Sequence, residues 1–193
     1  MRSFLAACLA VSVAAGAFAA SPASAGPNLL VNGGFETGDL TGWTVSGNPT
    51  VPKVVSSFAG YVPLDGTYFL AFGDVGSDGV LTQSFTDVAH GILTVTGYLA
   101  SSGAEPSDFS ASIIGGAGYS VVSIPQQGYQ EFSFTTVATG SDTLRLAYRN
   151  DPGWSAIDDL SVTEVLPVPE PASGAIIGAG LICLGVLRAR RAG

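Results

Sequence analysis

The residues able to do chemistry are unevenly supplied in this chain. Fifteen carboxylates stand against one histidine, His90, and two cysteines, Cys8 and Cys183. His90 falls in Val88-Ala-His-Gly91, whose composition is that of a hairpin turn, so it reads as a solvated turn residue. There is no Gly-x-Ser-x-Gly elbow and no histidine pair for zinc. Gly115-Gly-Ala-Gly118 lacks the helix that a phosphate-binding loop requires. Carboxylate chemistry and sugar chemistry remain. A glycosidase needs two carboxyl groups flanking a bond, but Glu105 and Asp108 lie in a segment that reads as a flexible acidic loop, and nothing singles them out as a pair. Sugar recognition needs aromatic faces beside polar groups that take the hydroxyls. The aromatic candidates are Trp43, Phe58, Tyr61, Tyr119, Tyr129 and Trp154. Of these, Tyr61, Tyr119, Trp43 and Trp154 form the candidate glycan-binding set. Tyr61, in Gly60-Tyr-Val-Pro-Leu-Asp-Gly66, reads as an exposed loop residue, whereas Trp43 and Trp154 are flanked by strand signals and read first as core. Asn150-Asp151-Pro152-Gly153 is a turn that could also rim a site.

Charge narrows the partners. Between Gly26 and Glu170 only Lys53, Arg145 and Arg149 oppose the fifteen acids, a net −12 against −8 for the whole chain. Nucleic-acid binding depends on Lys and Arg neutralising phosphates, so this segment is not a nucleic-acid binder. Its field favours solubility and, where carboxylates converge, divalent cations. No cysteine lies in this segment, so no disulfide staples it.

The elements that must position these residues are strands. Asp142-Thr-Leu-Arg-Leu-Ala-Tyr-Arg149 puts Leu144, Leu146 and Tyr148 on one face and both arginines on the other, the alternation of a half-buried strand. The segments 93–99, 109–114 and 131–134 behave alike, and 67–72, 80–86, 119–124 and 154–165 are further strand candidates. Turn signals fall at 88–91, 115–118 and 139–141, and no stretch keeps helical periodicity for ten residues. Roughly ten short strands between Gly-rich turns predict an all-β, jelly-roll-like antiparallel sandwich over 26–166.

Both ends read as targeting segments. Arg2 and the apolar run from Phe4 to Ala20 end in Ala23-Ser24-Ala25, the layout of a signal peptide spanning 1–25. Cys8 lies inside that run, which argues against a lipidated cysteine. At the other end, Val168-Pro169-Glu170-Pro171 precedes an apolar span, 172–187, and a basic tip, Arg188, Arg190 and Arg191. Sixteen residues in a helix rise about 24 Å, a little less than a bilayer core. Gly174, Gly178, Gly180 and Gly185 are tolerated in such a span. The arginines would stay cytoplasmic, with the rest of the chain outside. This tripartite layout, over 167–193, resembles the PEP-CTERM sorting signal of Gram-negative bacteria. The resemblance implies export by the Sec translocon, a transient transmembrane helix in the inner membrane, and removal of that helix by an exosortase.

Asn28-Leu-Leu-Val-Asn-Gly-Gly-Phe-Glu-Thr-Gly38 followed by Gly42-Trp43, the strand Gly79-Val-Leu-Thr-Gln-Ser-Phe85, and the close Trp154-Ser-Ala-Ile-Asp-Asp-Leu-Ser-Val162 resemble jelly-roll carbohydrate-binding modules. That resemblance, from Asn28 to Val165, implies that first and last strands are neighbours sharing a structural calcium. Glu36 and Asp158 would supply carboxylates, Asp159 is the other acidic candidate, and Gly33 or Gly34 would lend carbonyls. Asp158 shares its alternation face with Leu160 and Val162 and is expected to point inward. The function expected from the two resemblances is an exported envelope or extracellular-matrix protein with a non-catalytic, structural role alongside exopolysaccharide. A lectin-like module for a specific glycan is the alternative, and a glycoside-active enzyme the remaining one.

Overall fold

A computed structural model describes residues 26–48 and 52–166. The expected signal peptide, the span 172–187, Pro169, Glu170, Pro171 and the three terminal arginines lie outside the described residues. Among those described there are ten strands and no helix, hence none long and apolar enough to cross a membrane.

Two five-stranded antiparallel sheets face each other. In chain order the strands are β1 (Thr44–Gly47), β2 (Lys53–Val55), β3 (Phe69–Phe72), β4 (Gly79–Thr86), β5 (Ile92–Ser101), β6 (Ser107–Ile113), β7 (Gly118–Val122), β8 (Gln127–Val137), β9 (Ser141–Asn150) and β10 (Ser155–Val165). One sheet runs β1-β4-β9-β6-β7 and the other β2-β3-β10-β5-β8. This is the sandwich that the alternation predicts. Leu144, Leu146 and Tyr148 on β9 are fully buried, while Arg145 and Arg149, at the alternate positions, are half-buried on the outer face. Leu81 and Phe85 on β4, Phe109 and Ile113 on β6, Val95 and Leu99 on β5 and Ile157, Leu160 and Val162 on β10 fill the space between the sheets. Strands β1 and β2 carried no sequence signal, because both are short edge strands with exposed or half-buried side chains and no alternation.

The opening segment differs from expectation. Residues 31–42 form turns and bends and contain no strand, yet the segment does lie along β10. The Leu29 N–H donates to the Val162 carbonyl at 2.8 Å, and the Leu160 N–H donates to the Gly33 carbonyl at 3.2 Å. Asn28 strengthens the join by side chain: its Nδ2 donates to the Leu160 carbonyl and its Oδ1 accepts the Val162 N–H. Gln83 does the same from the opposite sheet, its amide bonding both the N–H and the carbonyl of Val31. Gly33 passes so close to β10 that a Cβ there would sit 2.1 Å from the Leu160 carbonyl oxygen. These contacts account for the Asn-rich and Gly-rich opening without a regular ladder.

Candidate functional site

The predicted carboxylates turn out to hold a loop. The segment 56–68 folds over the outer face of the β2-β3-β10-β5-β8 sheet and buries a small second cluster there. Phe69, Ala71, Ala100 and Ala156 form its floor, and Val55, Phe58, Tyr61 and Tyr129 cover it. Asp158 pins this segment from β10: its Oδ2 accepts the N–H groups of Leu64 (2.8 Å) and Asp65 (3.4 Å), and its Oδ1 accepts that of Asp159 (2.8 Å). Glu36 pins it from the opening turns, with N–H groups of Thr67 at 2.8 Å and Tyr68 at 3.1 Å on its two oxygens. Burial, and next to it the neighbouring Asp159 charge, push the Asp158 carboxyl up to about 6, while the N–H donors pull the other way.

Asp158 is buried as expected, with 1 % of its surface exposed, but not for the expected reason. Strand β10 carries a register shift between Asp158 and Ser161, and Asp159 there has φ +50. The irregularity lets Ile157 and Leu160 both enter the core, three positions apart. Asp158 therefore shares the outer face with Ala156 and is covered by the loop, not by the core. Simple alternation cannot anticipate an inserted residue.

The loop clamp brings Tyr61 to a hollow of about 470 Å³ at one end of the sheet. Ala59–Tyr61, Ser101–Ser102 and Gln126–Gly128 line it. The Tyr61 hydroxyl donates to the Trp154 carbonyl at 3.2 Å, and the Ser102 Oγ accepts the Trp154 N–H at 3.1 Å. Tyr129, just past Gly128, donates to the Val62 carbonyl at 3.1 Å. Burial raises both phenols, and for Tyr129 the charges of Asp158 and Asp159 add to it, so both remain neutral hydroxyls. Beside the hollow, Phe58 and Trp154 meet edge to face at 4.5 Å. The Lys53 ammonium lies 4.9 Å from the Phe58 centroid and 5.6 Å from that of Trp154. Serine hydroxyls, glutamine amides and the Tyr61 phenol line the hollow, and the Phe58–Trp154 pair with Lys53 lies beside it.

Of the four candidate glycan-binding aromatics, the structure brings together two. Trp154 is half-buried outside the main core and adjoins Tyr61. Trp43 is a core residue, stacked on Phe35 at 5.8 Å with its indole N–H on the Asn32 carbonyl. Tyr119 packs inward on Phe132 at 5.2 Å. Trp43 is buried just ahead of β1, and Tyr119 on β7 is half-buried against the core. The Gln126–Gly128 rim completes the lining of the hollow, Phe58 and Lys53 sit against Trp154, and Lys53 carried no sequence signal since only folding sets it over two rings.

The other candidates sort as follows. His90 is exposed at φ +72 in its turn. Asp108 is spent on Arg149 at 3.0 Å, and Glu105 accepts the N–H of Ser107. For the predicted calcium set, no three histidine, cysteine or acidic side chains converge on a metal position among the described residues. Glu36 and Asp158 give their oxygens to N–H groups, as above. Asp159 keeps its carboxylate clear of any such donor among the described residues and faces Gly34: a Cβ on Gly34 would lie 3.7 Å from Asp159 Oδ1 and 3.8 Å from Glu36 Cγ. Burial first, then the charges of Asp65 and Glu36, raise the Asp159 carboxyl. One hard oxygen, Asp159 Oδ1, thus faces Gly34, with the Glu36 side chain beside it; oxygen is the donor class calcium takes, and the site would need backbone carbonyls and water to complete it.

Known proteins extend these observations. Residues 167–191 match the PEP-CTERM protein-sorting motif, which marks the chain as an exported precursor, membrane-anchored before it is sorted to the surface by exosortase-dependent processing. No curated protein has a matching sequence. Among solved structures, TmCBM61 in complex with β-1,4-galactotriose is similar with TM-score 0.60 and 24% identity, over 72% of this chain and 99% of that one. The CBM22-1 xylan-binding domain from Paenibacillus barcinonensis is similar with TM-score 0.51 and 18% identity, over 76% and 99%. A putative sugar binding protein from Bacteroides thetaiotaomicron gives TM-score 0.51 at 13% identity, over 72% and 100%. At these identities the likeness is one of fold. The chain therefore joins a PEP-CTERM sorting motif to a β-sandwich with the fold of carbohydrate-binding modules.

Proposed function

We propose that this chain is a non-catalytic protein of the envelope or extracellular matrix, and that it associates with polysaccharide through the recess beside Tyr61 and Trp154. The single observation that carries the reading is the recess itself, in which Ser101, Ser102, Gln126 and Gln127 line the hollow that Tyr61 enters. Such a mix of hydroxyl, amide and ring surface suits sugar hydroxyls and sugar faces together. The fold shared with carbohydrate-binding modules supports it. The non-catalytic part rests on how the acids are used: Glu36, Asp39, Asp87, Asp142, Asp151, Asp158 and Glu164 all accept backbone N–H groups.

The test is co-sedimentation of the full chain, in mild detergent, with the insoluble extracellular polysaccharide of its host. Saturable retention that Tyr61→Ala abolishes is expected. Retention unchanged by Tyr61→Ala, or none at all, overturns the assignment of this recess.

We also propose a structural calcium at the Gly34 junction, held by Asp159 and Glu36 with backbone carbonyls of the Gly33–Gly34 turn. When bound, it would neutralise carboxylates that otherwise repel one another across the join of the opening segment and β10. A rise in melting temperature with calcium over chelator, absent in Asp159→Asn, is the expected result; identical melts with and without calcium refute it.

A further inference from the structure

We propose that the end of the sandwich from which the C-terminal segment leaves is a membrane-contact surface. Val137, Ile92 and Leu166, with Val88 and Ile114 beside them, rest in the lipid interface of the bilayer that anchors the precursor. The proposal draws on the sorting motif and not on the recess beside Tyr61, so the two stand or fall separately.

Strand register gathers the apolar side chains. Ile92 opens β5 opposite Val137 near the end of β8 and Val165 at the end of β10. Leu93 and Val162 take the inward positions, so the row Val137, Ile92 and Val165 closes the outer face of its sheet. Leu166 follows directly. Val88 lies in the turn before β5, and its N–H donates to Glu164 Oε1 at 2.9 Å, which sets it beside β10. Ile114 stands in the β6–β7 turn of the other sheet, its N–H on the Thr143 carbonyl at 3.0 Å. Val88, Ile92, Ile114, Val137 and Leu166 each leave between 44% and 58% of their surface in solvent. Single exposed apolar residues are ordinary, whereas a group at one place marks a contact surface.

The same end shows almost no charge. The turns and strand ends that build it, 86–92, 113–118, 136–142 and 163–166, contain no lysine or arginine and only three acids. All three are turned inward. Asp87 and Asp142 are buried and accept the N–H groups of Gly140 and Thr139, and Glu164 is half-buried on the Val88 N–H. Along β8 and β10 the next acids are Glu131 and Asp159, six residues back from Val137 and Val165, a rise of about 20 Å. In a segment of net −12, exposed carboxylates are kept away from these apolar side chains.

The course of the chain says what covers the surface. Leu166 ends the described residues here, and Gly26 lies alongside: a Cβ on Gly26 would stand 2.9 Å from the Glu164 carbonyl oxygen. The sorting motif begins at residue 167, and only residues 167–171 separate Leu166 from the apolar run 172–187. With that run in the bilayer, the step from Leu166 to Ala172 reaches at most about 21 Å, while the strand β5 alone rises about 34 Å. The anchored precursor therefore holds this end at the lipid, with Ser101 and the hollow beside Tyr61 at the far end of the same sheet. A tethered surface meets its partner at an effective concentration of about millimolar, so the bilayer outcompetes a second copy of the chain for this patch.

The contact is apolar, with side chains entering the headgroup boundary to a depth of about 5–10 Å. It draws on no charge attraction and so holds on a zwitterionic bilayer. The acids about 20 Å back lie beyond the Debye length of about 8 Å at physiological salt.

The experiment reconstitutes the full chain in phosphatidylcholine vesicles carrying a phospholipid spin-labelled near the headgroup end of its acyl chain, and reads tryptophan emission. Val88→Trp should lose most of its added emission to the quencher, and Ile114→Trp is the second reporter on the other sheet. Val122→Trp, exposed at the far end of β7, should lose none. Ile92→Asp combined with Val137→Asp should restore the Val88→Trp emission while the chain stays anchored; Leu166→Asp should restore it in part, and Tyr61→Ala should leave it quenched. Unchanged melting temperatures show that the fold is retained. Quenching that survives the aspartate variants would mean that the tether alone brings this end to lipid, and would overturn the proposal. Reporters left unquenched would overturn it too, and if their emission then shifts with the protein-to-lipid ratio, the occupant is a second copy.

Discussion

The Asp158 carboxylate on the last strand accepts the Leu64 N–H at 2.8 Å, so the loop that presents Tyr61 is fastened to the sheet by one buried acid. Asp158→Ala removes three N–H contacts at once and leaves part-buried donors without partners. A loss of about 1–3 kcal/mol is expected from the unsatisfied donors. Limited proteolysis should show new cleavage between Gly60 and Gly66, and polysaccharide retention should fall with it. An unchanged melting curve and cleavage pattern would mean that the loop is held by Glu36 and its own packing.

Asp74 predicts a pH effect. It is fully buried, neither of its oxygens meets a hydrogen-bonding partner from any other residue among those described, and burial pushes it up to about 6. Its nearest charged neighbour in effect is Asp78, and the buried, unbonded hydroxyl of Tyr148 is close enough for the Asp74 charge to raise it. A carboxyl raised from 3.8 to about 6 binds its proton more tightly in the folded state. Its cost is absent below about pH 4, grows between about pH 4 and 6, and stays constant above, at about 2–3 kcal/mol. Asp74→Asn should remove this part of the pH dependence and raise the melting temperature at pH 7. Chemical denaturation at pH 4, 5, 6 and 7 on both proteins measures it; parallel profiles would refute it.

Gly33 and Gly60 separate close approach from backbone conformation. A Cβ on Gly33 meets the Leu160 carbonyl at 2.1 Å, whereas a Cβ on Gly60 meets nothing within 4 Å, though φ there is +89. Gly33→Ala should cost about 1–3 kcal/mol by forcing the opening segment off β10. Gly60→Ala should cost about 1 kcal/mol, through backbone strain alone. Urea midpoints of the two variants test the order.

Trp43 and Tyr61 predict opposite phenotypes. Trp43→Ala empties a core position and should cost about 3–5 kcal/mol, with sugar retention unchanged in whatever fraction remains folded. Tyr61→Phe deletes only the hydroxyl contact to the Trp154 carbonyl, worth about 1 kcal/mol, and should leave the fold intact while altering retention. Melting temperatures measured beside binding isotherms distinguish them.

Periodicity and address are local properties, and both were readable in the chain. The alternation of Leu144, Leu146 and Tyr148 with Arg145 and Arg149 states which face of β9 enters a core, and the turn residues between such segments imply a sandwich. The Pro169-Glu170-Pro171 signal is linear, so its match over 167–191 needs no fold at all. Even the solvated turn position of His90 follows from its neighbours. Four decisions required the tertiary structure. The irregularity after Asp158 moved that acid from the expected core face to the loop face, because one inserted residue reverses alternation. Trp43 and Trp154 carry similar flanking signals, yet one stacks on Phe35 and the other meets Phe58, since burial depends on which loop returns over the sheet. Glu36 clamps Thr67 and Tyr68 across 31 and 32 residues, a separation at which no local pattern operates. Arg145 and Arg149 look identical in sequence, and only cross-strand register gave Asp108 to one and left the other facing Thr82 and Ser112.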